Sequence, residues 1–169
     1  PDSPQASRWK SLREGIERNV RAHLWDVKRQ KFIPHIYPEK SPIPEGFDEL
    51  AIHYHGGTAI AIEAGLLSED EIRSVNAQML ENVRLSGMPS IGLTLYPVYP
   101  DGFFHGGMSK AYLYQNGGDW TWFGGRMIQQ LVVNGMVEEA YAEIHPMIER
   151  VIQNDGFYEW YGKGGVPSG

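Results

Sequence analysis

Glu159 stands in the stretch Gly156-Phe157-Tyr158-Glu159-Trp160-Tyr161-Gly162-Lys163-Gly164-Gly165, a carboxylate between aromatic side chains in a glycine-bounded loop. Rings beside a carboxyl remove its water and raise its pKa unless donors hold the charge, so this setting suits acid–base chemistry. Hydrolysis of a glycosidic bond needs two carboxyls across the scissile bond, one acid and one base or nucleophile. Glu159 is the candidate for one of them, with Tyr158 and Trp160 as flanking substrate contacts.

A second stretch, Tyr114-Gln115-Asn116-Gly117-Gly118-Asp119-Trp120-Thr121-Trp122-Phe123, gathers an amide, glycines, a carboxylate and indoles at a loop-to-helix junction. Glycine lets a ligand approach the backbone, and a helix start offers free amides. Asp119 suits either an N-cap or a hydrogen bond to a sugar hydroxyl. Asn116, Asp119, Trp120 and Trp122 are therefore candidate substrate-binding residues, since flat sugar C–H faces pack on aromatic walls of concave sites. His105 joins them as a loop histidine expected on the same face. His53-x-His55 has the spacing of half a metal site, but no helical His-x-x-x-His or acidic cluster completes it. No metal and no cofactor are expected. As acid and base, the histidines also fit a sugar epimerase.

These loops need elements to hold them. Residues 5–25 read as a helix from the apolar spacing of Trp9, Leu12, Ile16, Val20 and Leu24, capped by Ser3 or Ser7. Pro34, Pro38, Pro42 and Pro44 forbid a helix over 26–50, where Phe32-Ile33 suits a short strand. A helix over Ala59–Leu67 should stop at Gly65, and Ser68–Glu71 forms a capping box for a helix ending at Gly87. Leu93–Tyr96 suits a short strand. Gly118-Asp119 should open a helix ending near Asn134-Gly135. Another follows over Val137–Asn154, with a kink or boundary at Pro146. The glycine-rich tail from Gly162 to Gly169 shows no closing helix.

Gly56-Gly57 and Gly117-Gly118 open the same series: an apolar helix, a glycine, then an amphipathic helix rich in early acids. The period exceeds that of common helical repeats and suits helical hairpins arranged as a toroid, with long loops on one face. The fold expected is all-α, part of an (α/α)6 toroid with short β-hairpins on one face. Two pairs and a lone helix do not close a ring, and an open ring leaves apolar faces wet. Residues 1–169 are thus expected to be one domain, the C-terminal portion of a larger ring. The opening Pro1-Asp2-Ser3-Pro4 is expected to be a cut or linker.

Composition narrows the classes. The chain has 169 residues, 41% hydrophobic and 21% charged, the balance of a soluble globular domain. A net charge of -6 without a basic stripe argues against a nucleic-acid partner. No apolar run nears the ~20 residues that span a bilayer, and no signal peptide is visible. The absence of cysteine excludes disulfides and thiolate chemistry. The compartment stays open, with the cytoplasm preferred.

Asn116-Gly117-Gly118-Asp119-Trp120-Thr121-Trp122 resembles the Asn-Gly-Gly-x-Trp-Pro-Trp element of six-hairpin glycosidases, which include glycogen-debranching-like amylo-α-1,6-glucosidases, processing α-glucosidases and neutral invertases. Thr121 replaces the usual proline. Phe157-Tyr158-Glu159-Trp160-Tyr161 is similar to their later Tyr-Glu-x-Tyr-x-Pro-x-x-Gly element, again without the proline. Leu24-Trp25-Asp26 through Phe32 resembles their Leu-Trp-Asp hairpin end. The resemblance spans nearly the whole chain, as the later part of the toroid. It implies an inverting glycoside hydrolase on a glucoside or oligosaccharide, with Glu159 as general base activating water. The general acid would lie upstream, so the chain alone is expected to be inactive. Its partners would be a carbohydrate substrate and the rest of the ring in the same polypeptide. A carbohydrate-binding or scaffold domain without catalysis, or an epimerase on the same toroid, are the alternatives.

Overall fold

The computed structural model describes residues 3–169; Pro1 and Asp2 of the expected linker lie outside the described residues. Helix α1 runs Pro4–His23 and is capped by Ser3, whose hydroxyl accepts from the Ala6 amide. The helix stops before Trp25, short of the expected end, because Trp25–Asp26 (β1) pairs antiparallel with Lys31–Phe32 (β2). Asp26 closes that hairpin by accepting from the amides of Lys28 and Arg29.

The proline-rich segment contains one short helical turn, Glu49–Ala51, and leads into β3 (His53–Tyr54). Helix α2 then spans His55–Glu63, four residues earlier than its apolar run suggests. Gly56 and Gly57 lie inside its first turn rather than ahead of it. The physical reason sits at Gly56, where a side chain would strike the Phe123 ring of helix α4, Thr121–Val133. Gly56 therefore lets the two apolar helices approach closely. Helix α3, Glu69–Ser86, has the expected capping box at Ser68 and Glu71 and ends on left-handed Gly87. Strand β4, Leu95–Tyr96, pairs antiparallel with β3.

Helix α4 begins at Thr121, not at Gly118-Asp119, because Asp119 is held by backbone bonds to two other segments. Helix α5, Val137–Gln153, runs through Pro146 without a boundary. Pro146 removes one helical amide, yet Ala140 and Glu143 before it and Met147 and Arg150 after it are all buried on one side. Packing on both sides of the proline carries the helix across. The tail is not free: Trp160–Tyr161 (β5) pairs antiparallel with Pro167–Ser168 (β6).

The fold is thus mostly α-helical with short antiparallel strand pairs. Helices α2 and α4 pack on each other, α3 lies against α2, and α5 lies against α4. The main core joins Ala59 and Ile62 of α2, Ile72, Val75 and Met79 of α3, Met127, Ile128 and Leu131 of α4, and Ala140 and Met147 of α5. A smaller core of Ile52, Leu95 and Tyr99 lies under the loops. Apolar residues also stay uncovered: Trp9 at 61%, Leu12 and Ile16 on α1, and Tyr141, Ile148 and Ile152 on α5. No helix among the described residues is long and apolar enough to cross a membrane.

Candidate aromatic and carboxylate site

The starts of α2 and α4 meet in a seam of backbone hydrogen bonds. The His55 amide donates to the Thr94 carbonyl, the Thr94 amide to Gly118, and the Trp120 amide to Gly92, at 2.9, 2.9 and 2.7 Å. Asp119 and Tyr161 exchange both backbone bonds, at 2.9 and 2.7 Å. This last pair brings the Glu159 segment beside the Asn116–Trp122 junction, two stretches well separated in the sequence. Gly118 is required there, since a side chain would meet the Tyr114 carbonyl and the Trp160 ring.

A row of aromatic rings lies along the junction. Trp160 meets Tyr114 edge-on, Tyr114 meets Trp120, Trp120 meets Phe123 and Phe123 meets Trp122, with centroids 6.1, 4.8, 5.7 and 4.8 Å apart. The Trp120 indole donates to the Tyr114 carbonyl at 3.1 Å, which fixes its ring. Trp122 ends the row, 55% exposed, with the Arg126 guanidinium over its face at 4.9 Å. Arg126 is in turn paired with Glu63 across to α2. Trp120, Trp122 and Trp160 are thus gathered on one platform with open ring surface at the Trp122 end.

Asp119 and Asn116 are not part of the open surface. Asp119 is fully buried, its carboxylate 2.9 Å from Arg150 and bonded through both oxygens to the Ser90 hydroxyl at 2.9 and 2.7 Å. Burial pushes its carboxyl up, while Arg150 and Ser90 work against that shift. Arg150 also stacks on the buried Tyr161 ring at 3.8 Å. Asp119 is therefore neither an N-cap nor a sugar contact, but one pole of an ion pair joining four segments. Asn116 is likewise consumed: its Oδ1 accepts from the Tyr99 amide at 2.9 Å, and its Nδ2 donates to the Tyr99 and Lys110 carbonyls. It braces the loop that carries the row.

Glu159 is exposed, with Tyr158 and Trp160 half-buried on either side. The flanking rings do not enclose it as expected, because Tyr158 turns toward Tyr161 at 5.9 Å and Trp160 toward Tyr114. His105 is also exposed, at the start of a short turn over Gly106–Met108, and makes no ring contact with the row among the described residues. His53 and His55 are buried instead of lining an open face, with centroids 5.2 Å apart. Burial drives both pKa values down, that of His53 to about 3, so both rings are neutral. No group of three metal-ligating side chains is present among the described residues.

Two clusters escape a reading of the sequence. Glu49 Oε1 accepts from Tyr37 at 2.7 Å, Tyr99 at 2.8 Å and His35 Nδ1 at 2.7 Å. Burial works to raise the Glu49 carboxyl, and these donors prevail and hold it below the ordinary range. Its partners come from two other segments, His35 and Tyr37 from one and Tyr99 from another, so no local spacing announces them. Arg150 did leave a signal: it shares the face of Ala140, Glu143 and Met147, and a cation on a buried stripe must find a counter-charge.

No family model matches this chain, and no curated protein matches it.

Proposed function

We propose that the chain forms the later part of an (α/α)6 toroid whose loop end binds carbohydrate, and that it supplies the general base, Glu159, of an inverting glycoside hydrolase. The observation that carries this reading is the Asp119–Tyr161 backbone pair, which brings the segment of Glu159 to the Trp160 end of the Trp160–Tyr114–Trp120–Phe123–Trp122 row. Aromatic faces bury sugar C–H surface, and a neighbouring carboxylate can take a proton from water. The packing of α2 on α4, with α3 against α2 and α5 against α4, supports inner and outer helices of successive hairpins. The uncovered apolar stripes on α1 and α5 support further hairpins completing the ring on both sides. The general acid would come from one of those.

The test is Glu159→Gln in the polypeptide that carries the complete ring. Turnover of a glucosyl oligosaccharide should fall by roughly 10²–10⁴-fold, with substrate affinity retained and inverted product anomer in the parent. Undiminished turnover would remove Glu159 from the mechanism. A second reading, a glycan-binding domain without catalysis, draws on one observation: Asp119, the other carboxylate of these two loops, is locked to Arg150. Under that reading the ring binds oligosaccharide and releases no product.

A further inference from the structure

Glu49 opens the short turn Glu49–Ala51, outside the aromatic row, yet a continuous set of contacts joins it to that row. Its Oε1 accepts from the Tyr99 hydroxyl at 2.8 Å, and from Tyr37 and His35 of the proline-rich segment. These donors hold its carboxyl below the ordinary range, so the acceptor is ionised. Hydrogen bonds to an ionised acceptor are roughly twice as strong as neutral ones. Tyr99 is fully buried, with its ring stacked on Phe103 at 4.7 Å. Its hydroxyl also accepts from Tyr54 at 3.2 Å. The Tyr99 side chain is thus pinned at both ring and hydroxyl.

The Tyr99 backbone is where the loop that carries the row is tied down. Asn116 accepts from the Tyr99 amide at 2.9 Å and donates to the Tyr99 carbonyl at 3.1 Å. The Asn116 carbonyl accepts from the Tyr112 amide at 2.8 Å, and its amide donates to the Leu113 carbonyl at 2.9 Å. Two residues of this turn have left-handed backbone, Tyr112 at φ 62° and Tyr114 at φ 48°. Residues with side chains rarely adopt that conformation, and it persists where the surroundings over-determine it. Tyr114 is a ring of the row, and its carbonyl accepts from the Trp120 indole at 3.1 Å and from the Gly118 amide at 2.9 Å. The strained turn that holds Tyr114 and Trp120 is therefore fastened through Asn116 to Tyr99, and through Tyr99 to Glu49.

We propose that Glu49 is a positioning residue for the carbohydrate platform: acting through Tyr99 and Asn116, it holds the strained loop that sets Tyr114 and Trp120, and thereby the affinity of the row for sugar. The proposal rests on the reading of the row as a sugar platform. It does not use Glu159 or the inverting mechanism.

Glu49→Ala and Tyr99→Phe cut this path at the same hydrogen bond. Each should weaken binding of a glucosyl oligosaccharide to the chain by about tenfold. The double variant should bind no more weakly than Glu49→Ala, because both changes remove one path. In ¹H–¹⁵N spectra without ligand, the Trp120 indole signal should move in both variants while that of Trp9 stays in place. Tyr99→Phe keeps the buried ring, so the path stays testable if Glu49→Ala folds poorly. Undiminished binding in the variants, or losses that add in the double variant, would overturn the proposal. If the unaltered chain binds no oligosaccharide, the platform reading fails, and the indole signal alone decides the link. A Trp120 signal that moves in both variants then upholds the path from Glu49 to the row, and an unmoved one overturns it.

Discussion

Asp119 shows how burial redefines a residue that the sequence marks for function. A carboxylate beside glycines and indoles has the chemistry to hold a hydroxyl, yet its neighbours in space are Arg150 and Ser90. Replacing Asp119 by Ala leaves the 4% exposed Arg150 without a counter-charge, a loss of about 3–5 kcal/mol for breaking one side of a buried pair. Urea unfolding measures it directly; a sugar-binding surface aspartate would instead change the midpoint little. Gly118→Ala should also destabilise, by about 1–3 kcal/mol, as the added methyl meets the Tyr114 carbonyl and the Trp160 ring. Near-ultraviolet circular dichroism should register the disturbed indoles. Trp120, Trp122 and Trp160 were legible in the sequence because they cluster locally. Arg150, Ser90 and Glu49 were not, because their partners lie on segments far along the chain.

At the scale of elements, caps and apolar spacing gave α1, α3, α4 and α5 to within a few residues, since those signals are local. The start of α2 was misplaced because Gly56 serves a contact with Phe123, which no local rule contains. The pairing of α3 with α5 holds a second non-local feature. Asn76 donates to Glu143 Oε1 at 2.7 Å, while Asn76 Oδ1 and Glu143 Oε2 are both buried and unpartnered. Protonation makes Oε2 a donor and lifts the cost of burying its charge. Burial raises the Glu143 carboxyl to about 7, opposed by Asn76 and helped by the charge of Glu139, which itself faces Arg73. A folded-state pKa above the unfolded 4.5 means the folded chain binds more protons between the two values. Its contribution is therefore complete below about 4.5 and is lost as pH rises through about 7. The loss should be on the order of 3 kcal/mol. Glu143→Gln mimics the protonated acid in being neutral and carrying a donor, and should remove this part of the pH dependence. Melting curves across that range check it; an unchanged slope in the variant would show that Glu143 is ionised in the folded chain.

Across the whole molecule, two apolar edges flank a helical core, and one end collects the starts of α2 and α4, the short strands and the aromatic row. Trp9, Leu12 and Ile16 cover a groove of about 660 Å³ with Leu66, and Ile148, Ile152 and Phe157 border another of about 260 Å³. If further hairpins occupy these edges, changing Leu12 and Ile16 to Gln should leave the stability of this chain within about 0.5 kcal/mol, since both are already exposed. The same change in the complete ring should cost several times more. Denaturant titration of both forms makes the comparison.

The account rests on the aromatic row being a carbohydrate platform, and the five tryptophans provide their own control. Each indole N–H gives a separate signal in a ¹H–¹⁵N spectrum of the chain during titration with a glucosyl oligosaccharide. The signals of Trp120, Trp122 and Trp160 should shift together and saturate, while those of Trp9 on α1 and Trp25 in the core stay in place. Five unmoved indoles, or movement confined to Trp9, would contradict it.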